Sequence, residues 1–292
     1  MHYDEPVFRP PSEAFSLIIQ VTIGCSHNAC TFCGMYKGKK FRIKPWEQLE
    51  QELDEIKTHY SEAKRIFLAD GNSLAMDTEL LAKVLKKLYA DFPNLERVSS
   101  YAGPRDLLKK TPEELVYLRS LGLNLLYLGV ESGSDKILKE IKKGVDSETM
   151  LKAGRVALDA GFDLSVTIII GLGGQKDSRE HAIETGKLIS AMDPTYLGAL
   201  TLMLVPGTSL HKDYTEGKFK LLNPKQTLEE LYLLVENLRN LTHCVFRSNH
   251  ASNYLPLRGT LDRDRKQLLS ILSNAIENPE SVRLKPEFAR GL

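Results

Sequence analysis

The sequence predicts an α/β protein: a partial (β/α)6 barrel of parallel strands with a C-terminal helical extension. Three observations point to it. Short apolar runs alternate with amphipathic helical stretches six times over. The apolar runs are too continuous for sheets with one wet face, so both faces need cover. Polar or glycine-rich punctuation follows the C-terminal end of run after run, the end at which parallel α/β folds build ligand sites. Right-handed crossovers wind such units one way, and six are short of a closed barrel. A flat doubly wound sheet is the alternative.

The elements follow in order. Leu17–Ile23 reads as a buried strand, and Trp46–His59 as a helix with Leu49, Leu53 and Ile56 on one face. Arg65–Ala69 is a second strand, ending in Asp70-Gly71-Asn72, and Thr78–Tyr89 a second helix with an apolar stripe. Arg97–Tyr101 is the third strand. Thr111, with Glu114 three residues on, has the capping-box pattern that opens a helix ending at Gly122. Leu123–Val130 is the fourth strand, and Asp135–Ile141 and Ser147–Ala160 are helices. Asp163–Ile170 is the fifth strand, running into Gly171-Leu172-Gly173-Gly174 before a helix over Asp177–Met192. Tyr196–Val205 is the sixth, followed by helices over Thr227–Leu241 and Asp262–Ile276. This divides the chain into an N-terminal extension (1–16), a core (17–210) and an extension (211–292) that closes the barrel within the same compact unit.

Composition sets bounds. The chain has 292 residues, 42% hydrophobic and 26% charged, with a net charge of +1. That is an ordinary globular balance, without the basic excess of a nucleic-acid binder. The basic run Lys37, Lys39, Lys40, Arg42 and Lys44 reads as a solvated loop unless it lines the mouth of a site. No apolar run is long enough to span a membrane and the N-terminus lacks a signal-peptide core, so a cytoplasmic protein with reduced thiols is expected.

Three of the four cysteines, Cys25, Cys30 and Cys33, fall within nine residues in a C-x4-C-x2-C pattern. Three thiolates on one loop can hold three corners of an iron–sulfur cube, leaving one iron open to a ligand. The rival is a structural zinc completed by His27 or His243. A chain this long does not need a zinc staple, and a ring of polar strand ends around the loop suits a cluster with a bound ligand. Cys244 reads as a buried apolar thiol.

The segments GCSHNACTFC, FLADGN, LGVESGSDKIL, IIIGLGGQ and LVPGTSL, in this order over roughly residues 17–210, resemble the radical S-adenosylmethionine (SAM) superfamily. The likeness is greatest to the branch of anaerobic coproporphyrinogen oxidase and the radical methylthiotransferases. The loop departs from the usual C-x3-C-x2-C by one added residue between Cys25 and Cys30. The resemblance implies a 4Fe–4S cluster on Cys25, Cys30 and Cys33, with SAM chelating the open iron. It implies SAM contacts from Phe32 along the adenine and from Gly71 and Asn72 near the amino group. Glu131 and Ser132 would meet the sugar or methionine part, and Lys143 the carboxylate. Ile170, Gly171 and Leu204 would wall the adenine. Read without the resemblance, Phe32 is loop packing, Glu131 a surface helix cap, Lys143 a solvent lysine, and Ile170 and Leu204 plain core. The resemblance further implies a one-electron donor such as flavodoxin or ferredoxin, reductive cleavage of SAM, and a 5′-deoxyadenosyl radical that takes hydrogen from a small-molecule or cofactor-precursor substrate.

Residues 247–254 form a polar run dense in hydrogen-bonding side chains. It reads either as a turn or as a substrate-side wall closing the open barrel, with Asn249, His250 and Asn253 as contacts and Arg247 pairing a substrate carboxylate. Three functions compete: a radical SAM enzyme on a small molecule, a cluster- and SAM-binding protein without turnover such as a haem chaperone, and a nucleic-acid-modifying enzyme. Near-neutral charge weighs against the third.

Overall fold

The computed structural model describes residues 3–291. Its strands and helices are β1 (Leu17–Gln20), β2 (Thr22–Ile23), β3 (Arg42–Ile43), α1 (Trp46–Tyr60), β4 (Arg65–Ala69), α2 (Thr78–Asp91) and β5 (Arg97–Ala102). Then come α3 (Pro104–Lys109), α4 (Pro112–Ser120), β6 (Leu123–Glu131), α5 (Asp135–Glu140), α6 (Ser147–Asp159), β7 (Asp163–Ile170) and α7 (Gly174–Met192). The last are β8 (Tyr196–Thr201), α8 (Ser209–Thr215), α9 (Pro224–Asn237), β9 (Cys244–Arg247), β10 (Arg258–Leu261) and α10 (Arg265–Glu277). The eight-stranded sheet has the order β1-β4-β5-β6-β7-β8-β9-β10, with β1 and β10 as open edges; β2 and β3 form a separate ribbon. The expected partial barrel class holds, and the sheet is not closed.

The chain divides into two compact units. The first runs through Asn28 and adds Met35–Leu128 and Lys152–Leu164; the second comprises Ala29–Gly34, Gly129–Leu151 and the chain from Ser165 onward. In the first, β1, β4, β5 and β6 are parallel neighbours. The predicted stripes are buried: Leu49, Leu53 and Ile56 on α1, and Leu81, Val84, Leu85 and Leu88 on α2. Phe67, Tyr101 and Tyr127 meet edge to face with centroids 5.1 to 6.1 Å apart, a geometry the ring quadrupoles favour. The N-terminal extension is pinned there: Glu13, fully buried, accepts from Tyr127 Oη at 2.6 Å and Arg97 Nη2 at 2.7 Å.

In the second unit β7, β8 and β9 are parallel, and β10 runs antiparallel to β9. The period of two gives this sheet two distinct faces. Val166, Ile168, Ile170, Leu197, Ala199, Cys244 and Phe246 are buried, while Ser165, Thr167, Tyr196, Gly198, Val245 and Arg247 on the other face are partly or fully exposed.

Several boundaries move. The first predicted strand divides at Val21, because Thr22 and Ile23 pair with β3 and not with β4. The sixth stops at Thr201; Leu202 still donates to the Ile170 carbonyl, but the chain then turns towards α8. The helix expected at Thr227 begins at Pro224, where Asn223 and Gln226 form a capping box with Pro at the first position. The C-terminal extension is not purely helical: it adds β9 and β10 to the sheet. The basic run is not uniformly solvated either. Lys44 is 1% exposed and grips both Glu52 oxygens at 2.9 and 2.8 Å, and Lys39 is buried in an ion pair with Asp70.

Candidate active site

The predicted residues divide between the two units. In the first, the turn after β4 supports the start of the cysteine loop. Asp70, fully buried, accepts from the Gly24 N–H at 2.9 Å and from Lys39 Nζ at 3.1 Å. Gly71 N–H donates to the Gly24 carbonyl at 3.1 Å, and a Cβ on Gly71 would lie 3.0 Å from Cys25 Cβ and 3.1 Å from its Cα. Contacts that short are tighter than most Cβ atoms make, and glycine avoids them. Asn72 is 1% exposed and its amide is occupied: Nδ2 donates to Ser26 Oγ at 2.9 Å and to Asp106 Oδ2 at 2.5 Å, while Oδ1 accepts from the Gly103 N–H at 3.1 Å. Asn72 therefore ties the cysteine loop to the segment after β5.

In the second unit, the Thr31 N–H donates to the Ile141 carbonyl at 2.9 Å, and the Leu210 N–H donates to the Thr31 carbonyl at 3.0 Å. These bonds hold the Cys30–Cys33 stretch beside the chain that follows β6 and β8. Phe32, Ile169 and Leu204 pack on one apolar cluster containing Leu172, Leu202 and Leu210. Glu131 ends β6 with φ 66°, and its carboxylate pairs with Lys143 Nζ at 2.9 Å, each side chain 11% exposed. The helix-cap reading of Glu131 is thereby corrected: Ser134 caps α5, accepting from the Ile137 N–H. Lys143 is no solvent lysine. Ser132 is fully buried and accepts from the Ser134 N–H at 3.0 Å. Ile170 is 1% exposed, and Gly171 follows it with φ 86°.

Cys25, Cys30 and Cys33 are partly exposed and none forms a disulfide; Cys244 is buried, and burial pushes its thiol up to about 12. These are thiol donors on one polar loop, a donor set that suits iron–sulfur ligation. Among the described residues no three His, Cys, Asp or Glu side chains stand grouped at metal-ligand spacing. His243 precedes β9, whereas Thr31 touches segments that follow β6 and β8; in a parallel sheet those are opposite ends.

The run 247–254 follows β9 and is fastened to the end of β8. Ser252 Oγ accepts from the Thr201 N–H at 3.1 Å, and Asn253 bridges Thr201 Oγ1 at 2.8 Å and the Ala199 carbonyl at 2.9 Å. Asn253 is thus 4% exposed and spent on the fold, where the sequence offered it as a substrate contact. Asn249 and Arg247 are exposed and His250 partly so. The Ser252 N–H donates to His250 Nδ1 at 3.1 Å, which leaves the proton of the neutral ring on Nε2. Burial, then the Lys285 ammonium, hold the His250 pKa below its ordinary value. Arg247 lies directly opposite Arg258 in the β9–β10 register.

The family model of the radical SAM superfamily matches residues 19–186. The chain belongs to the radical SAM superfamily. Radical SAM proteins bind a 4Fe–4S cluster and SAM. The chain is 28% identical over 240 residues to 4'-phospho-dehydrooxetanocin synthase of Priestia megaterium, covering 74% of this chain and 30% of that protein. It is 26% identical over 222 residues to the heme chaperone HemW of Bacillus subtilis (strain 168), covering 72% of this chain and 56% of that one. The chain therefore spans only part of the length of these relatives. Among solved radical SAM structures, coproporphyrinogen III oxidase (HemN) of Escherichia coli matches with a TM-score of 0.57 at 20% identity, over 76% of this chain and 52% of that one, a likeness of fold. No helix among the described residues is long and apolar enough to cross a membrane.

Sequence reasoning named Lys39 only as part of a basic run and missed its brace on the loop, and it missed Asp106, His181 and Glu230 altogether. Each works through a partner 31 to 49 residues away, and no local pattern carries that.

Proposed function

We propose that this chain is a radical SAM enzyme acting on a small anionic organic substrate. Cys25, Cys30 and Cys33 hold the cluster. Gly71, Glu131, Lys143, Gly171, Phe32 and Leu204 contact SAM. Arg247, Asn249 and His250 face the substrate. The observation that carries the cofactor reading is the tight approach of Gly71 to Cys25, fastened by the Gly24–Gly71 backbone bond. When bound, the cluster and SAM supply reductive cleavage of a carbon–sulfur bond and a 5′-deoxyadenosyl radical.

The chain's own residues do the rest. Glu131 accepts hydrogen bonds from the ribose or amine of SAM while Lys143 balances its charge, and Phe32 and Leu204 shield the adenine from water. The Arg247–Arg258 juxtaposition supports an anionic substrate group. Like charges directly opposite on paired strands are destabilising, and a carboxylate or phosphate between the two guanidiniums removes that cost. His250, three residues after Arg247, offers Nε2–H as a neutral donor.

The likeness to a heme chaperone supports a second reading, in which cluster and SAM are bound without turnover. One experiment separates the two. Anaerobically reconstituted protein is incubated with SAM and dithionite, with and without candidate anionic metabolites, and 5′-deoxyadenosine is measured by mass spectrometry. Deoxyadenosine accumulating beyond one equivalent per chain supports the enzyme. Its absence, with SAM bound and the cluster reduced, supports the chaperone.

A further inference from the structure

His181 on α7 and Glu230 on α9 are the most secluded ion pair of the second unit, their side chains 1% and 0% exposed. His181 Nδ1 lies 2.9 Å from Glu230 Oε1, and His181 Nε2 lies 3.2 Å from the carbonyl oxygen of Glu131. The same Glu230 Oε1 accepts from the Gly171 N–H at 2.6 Å. Two side chains thus join the residue that ends β6 to the residue that follows β7. Both of those residues are left-handed, with φ 66° at Glu131 and 86° at Gly171. For a glutamate that conformation costs free energy which its surroundings must offset.

The chemistry fixes the proton count. A carbonyl oxygen only accepts, so His181 Nε2 carries a hydrogen. Nδ1 faces an oxygen of Glu230, so one further proton lies between them, on the ring or on the carboxyl group. In either arrangement the pair holds two protons and is neutral, which is how it tolerates burial. Glu230 Oε2 is buried without a hydrogen-bond partner among the described residues. Apolar residues of similar volume often replace a buried pair without loss of stability, but here they would leave the Gly171 N–H and the Glu131 carbonyl without these partners. A buried pair that leaves an acceptor unmet yet grips two strand ends is arranged for position.

We propose that His181 and Glu230 are positioning residues for SAM: they hold the Glu131 main chain and the Gly171 N–H so that the Glu131 carboxylate and the Gly171 turn meet the cofactor. This rests on the reading of Glu131 as a SAM contact. An amide at position 230 would not replace the acid. One atom meets both Nδ1 and the Gly171 N–H, and an oxygen there suits Gly171 but not a neutral Nδ1, while a nitrogen suits only Nδ1.

The test uses the full chain, reconstituted anaerobically, with iron content and thermal melting checked for each variant. SAM dissociation constants are measured by calorimetry for wild type, Glu131→Ala, His181→Phe, the isosteric Glu230→Gln, and the double variant Glu131→Ala/His181→Phe. The EPR signal of the reduced cluster is recorded with and without SAM. His181→Phe and Glu230→Gln are each expected to weaken SAM about tenfold, the worth of roughly one hydrogen bond, and to blunt the SAM-induced EPR change at unaltered iron content. The double variant is expected to lose less than the two single losses combined, since His181 acts in part through Glu131. Additive losses in the double variant would overturn the proposal, as would wild-type affinity in Glu230→Gln while Glu131→Ala is impaired. Wild-type affinity in Glu131→Ala would instead remove the SAM reading on which the proposal stands.

Discussion

Gly71 lies so close to Cys25 that an added carbon would sit 3.0 to 3.1 Å from the Cys25 Cβ, its Cα and the Gly24 carbonyl, and the cysteine loop would have to shift to admit it. Gly71→Ala is therefore expected to lower iron incorporation on reconstitution, measured as iron per chain, while the protein still folds. Glu131→Ala is expected to weaken SAM about ten- to a hundredfold without loss of iron, the range for a charge-assisted hydrogen bond. Cys244 gives a contrasting case. Its thiol is buried, which pushes its pKa up to about 12, so iodoacetamide at pH 8 is expected to modify Cys25, Cys30 and Cys33 in the native apoprotein and to leave Cys244 unmodified until denaturant is added. His250 adds a pH signature. Its folded pKa lies below the ordinary value, so the unfolded chain binds the proton more readily. The stabilisation it contributes is present above about pH 6.5 and is lost as pH falls through the lower folded value. Thermal melting from pH 7.5 to 5 is expected to show this slope, and His250→Asn to flatten it.

The sequence exposed elements by different signals, and their legibility follows. Strands such as Arg65–Ala69 and Asp163–Ile170 are legible with their observed bounds because each is an apolar run that opens on a charged residue and ends at a turn signal, Asp70-Gly71 in one and Gly171 in the other. The Thr111 capping box was legible because its signal spans only four residues, and both of its bonds are present, with Glu114 N donating to Thr111 Oγ1 at 3.2 Å. Thr111→Ala is expected to cost about 1 kcal/mol, seen as a lower urea midpoint. What stayed hidden is non-local. Strands β9 and β10 are four residues each, too short for periodicity to distinguish from a loop, and they exist because β8 supplies a neighbour. Asn253 looked like a ligand because exposed asparagines usually are polar surface; only the Thr201 and Ala199 contacts reveal it as a fastener. Arg247 and Arg258 are eleven positions apart, and pairing alone sets them face to face. Arg247→Ala or Arg258→Ala is expected to raise the concentration of an anionic substrate needed for half-maximal turnover, with SAM affinity unchanged; equal effects on both ligands would show a loss of fold.

Across the whole molecule, superfamily membership places demands that can be counted. Reconstituted protein is expected to carry about four irons and four sulfides per chain, with a visible charge-transfer band. Alanine at Cys25, Cys30 or Cys33 is expected to abolish that band and alanine at Cys244 to preserve it. Stoichiometric zinc without iron in freshly isolated anaerobic protein would sink the assignment. The cofactor class was legible because its ligands are crowded into nine residues and its strand-end motifs recur in a fixed order. The substrate was not, because the residues that would choose it come from short segments after β8 and β9 whose meaning depends on what folds beside them.

The last turn of the described chain has a use outside catalysis. Arg290 is stacked on Tyr254 at 4.1 Å and donates to the Ser252 and Leu202 carbonyls at 2.6 and 3.2 Å, and Lys285 Nζ donates to the Ala251 carbonyl at 3.0 Å. The tail is thus fastened to the loop proposed to face the substrate, while Phe288, between the two fasteners, is 90% exposed. A fluorine label on that ring would act as an external gauge: its resonance is expected to sharpen or shift when a candidate metabolite orders the loop, which would turn the search for the substrate into a spectroscopic screen needing no turnover.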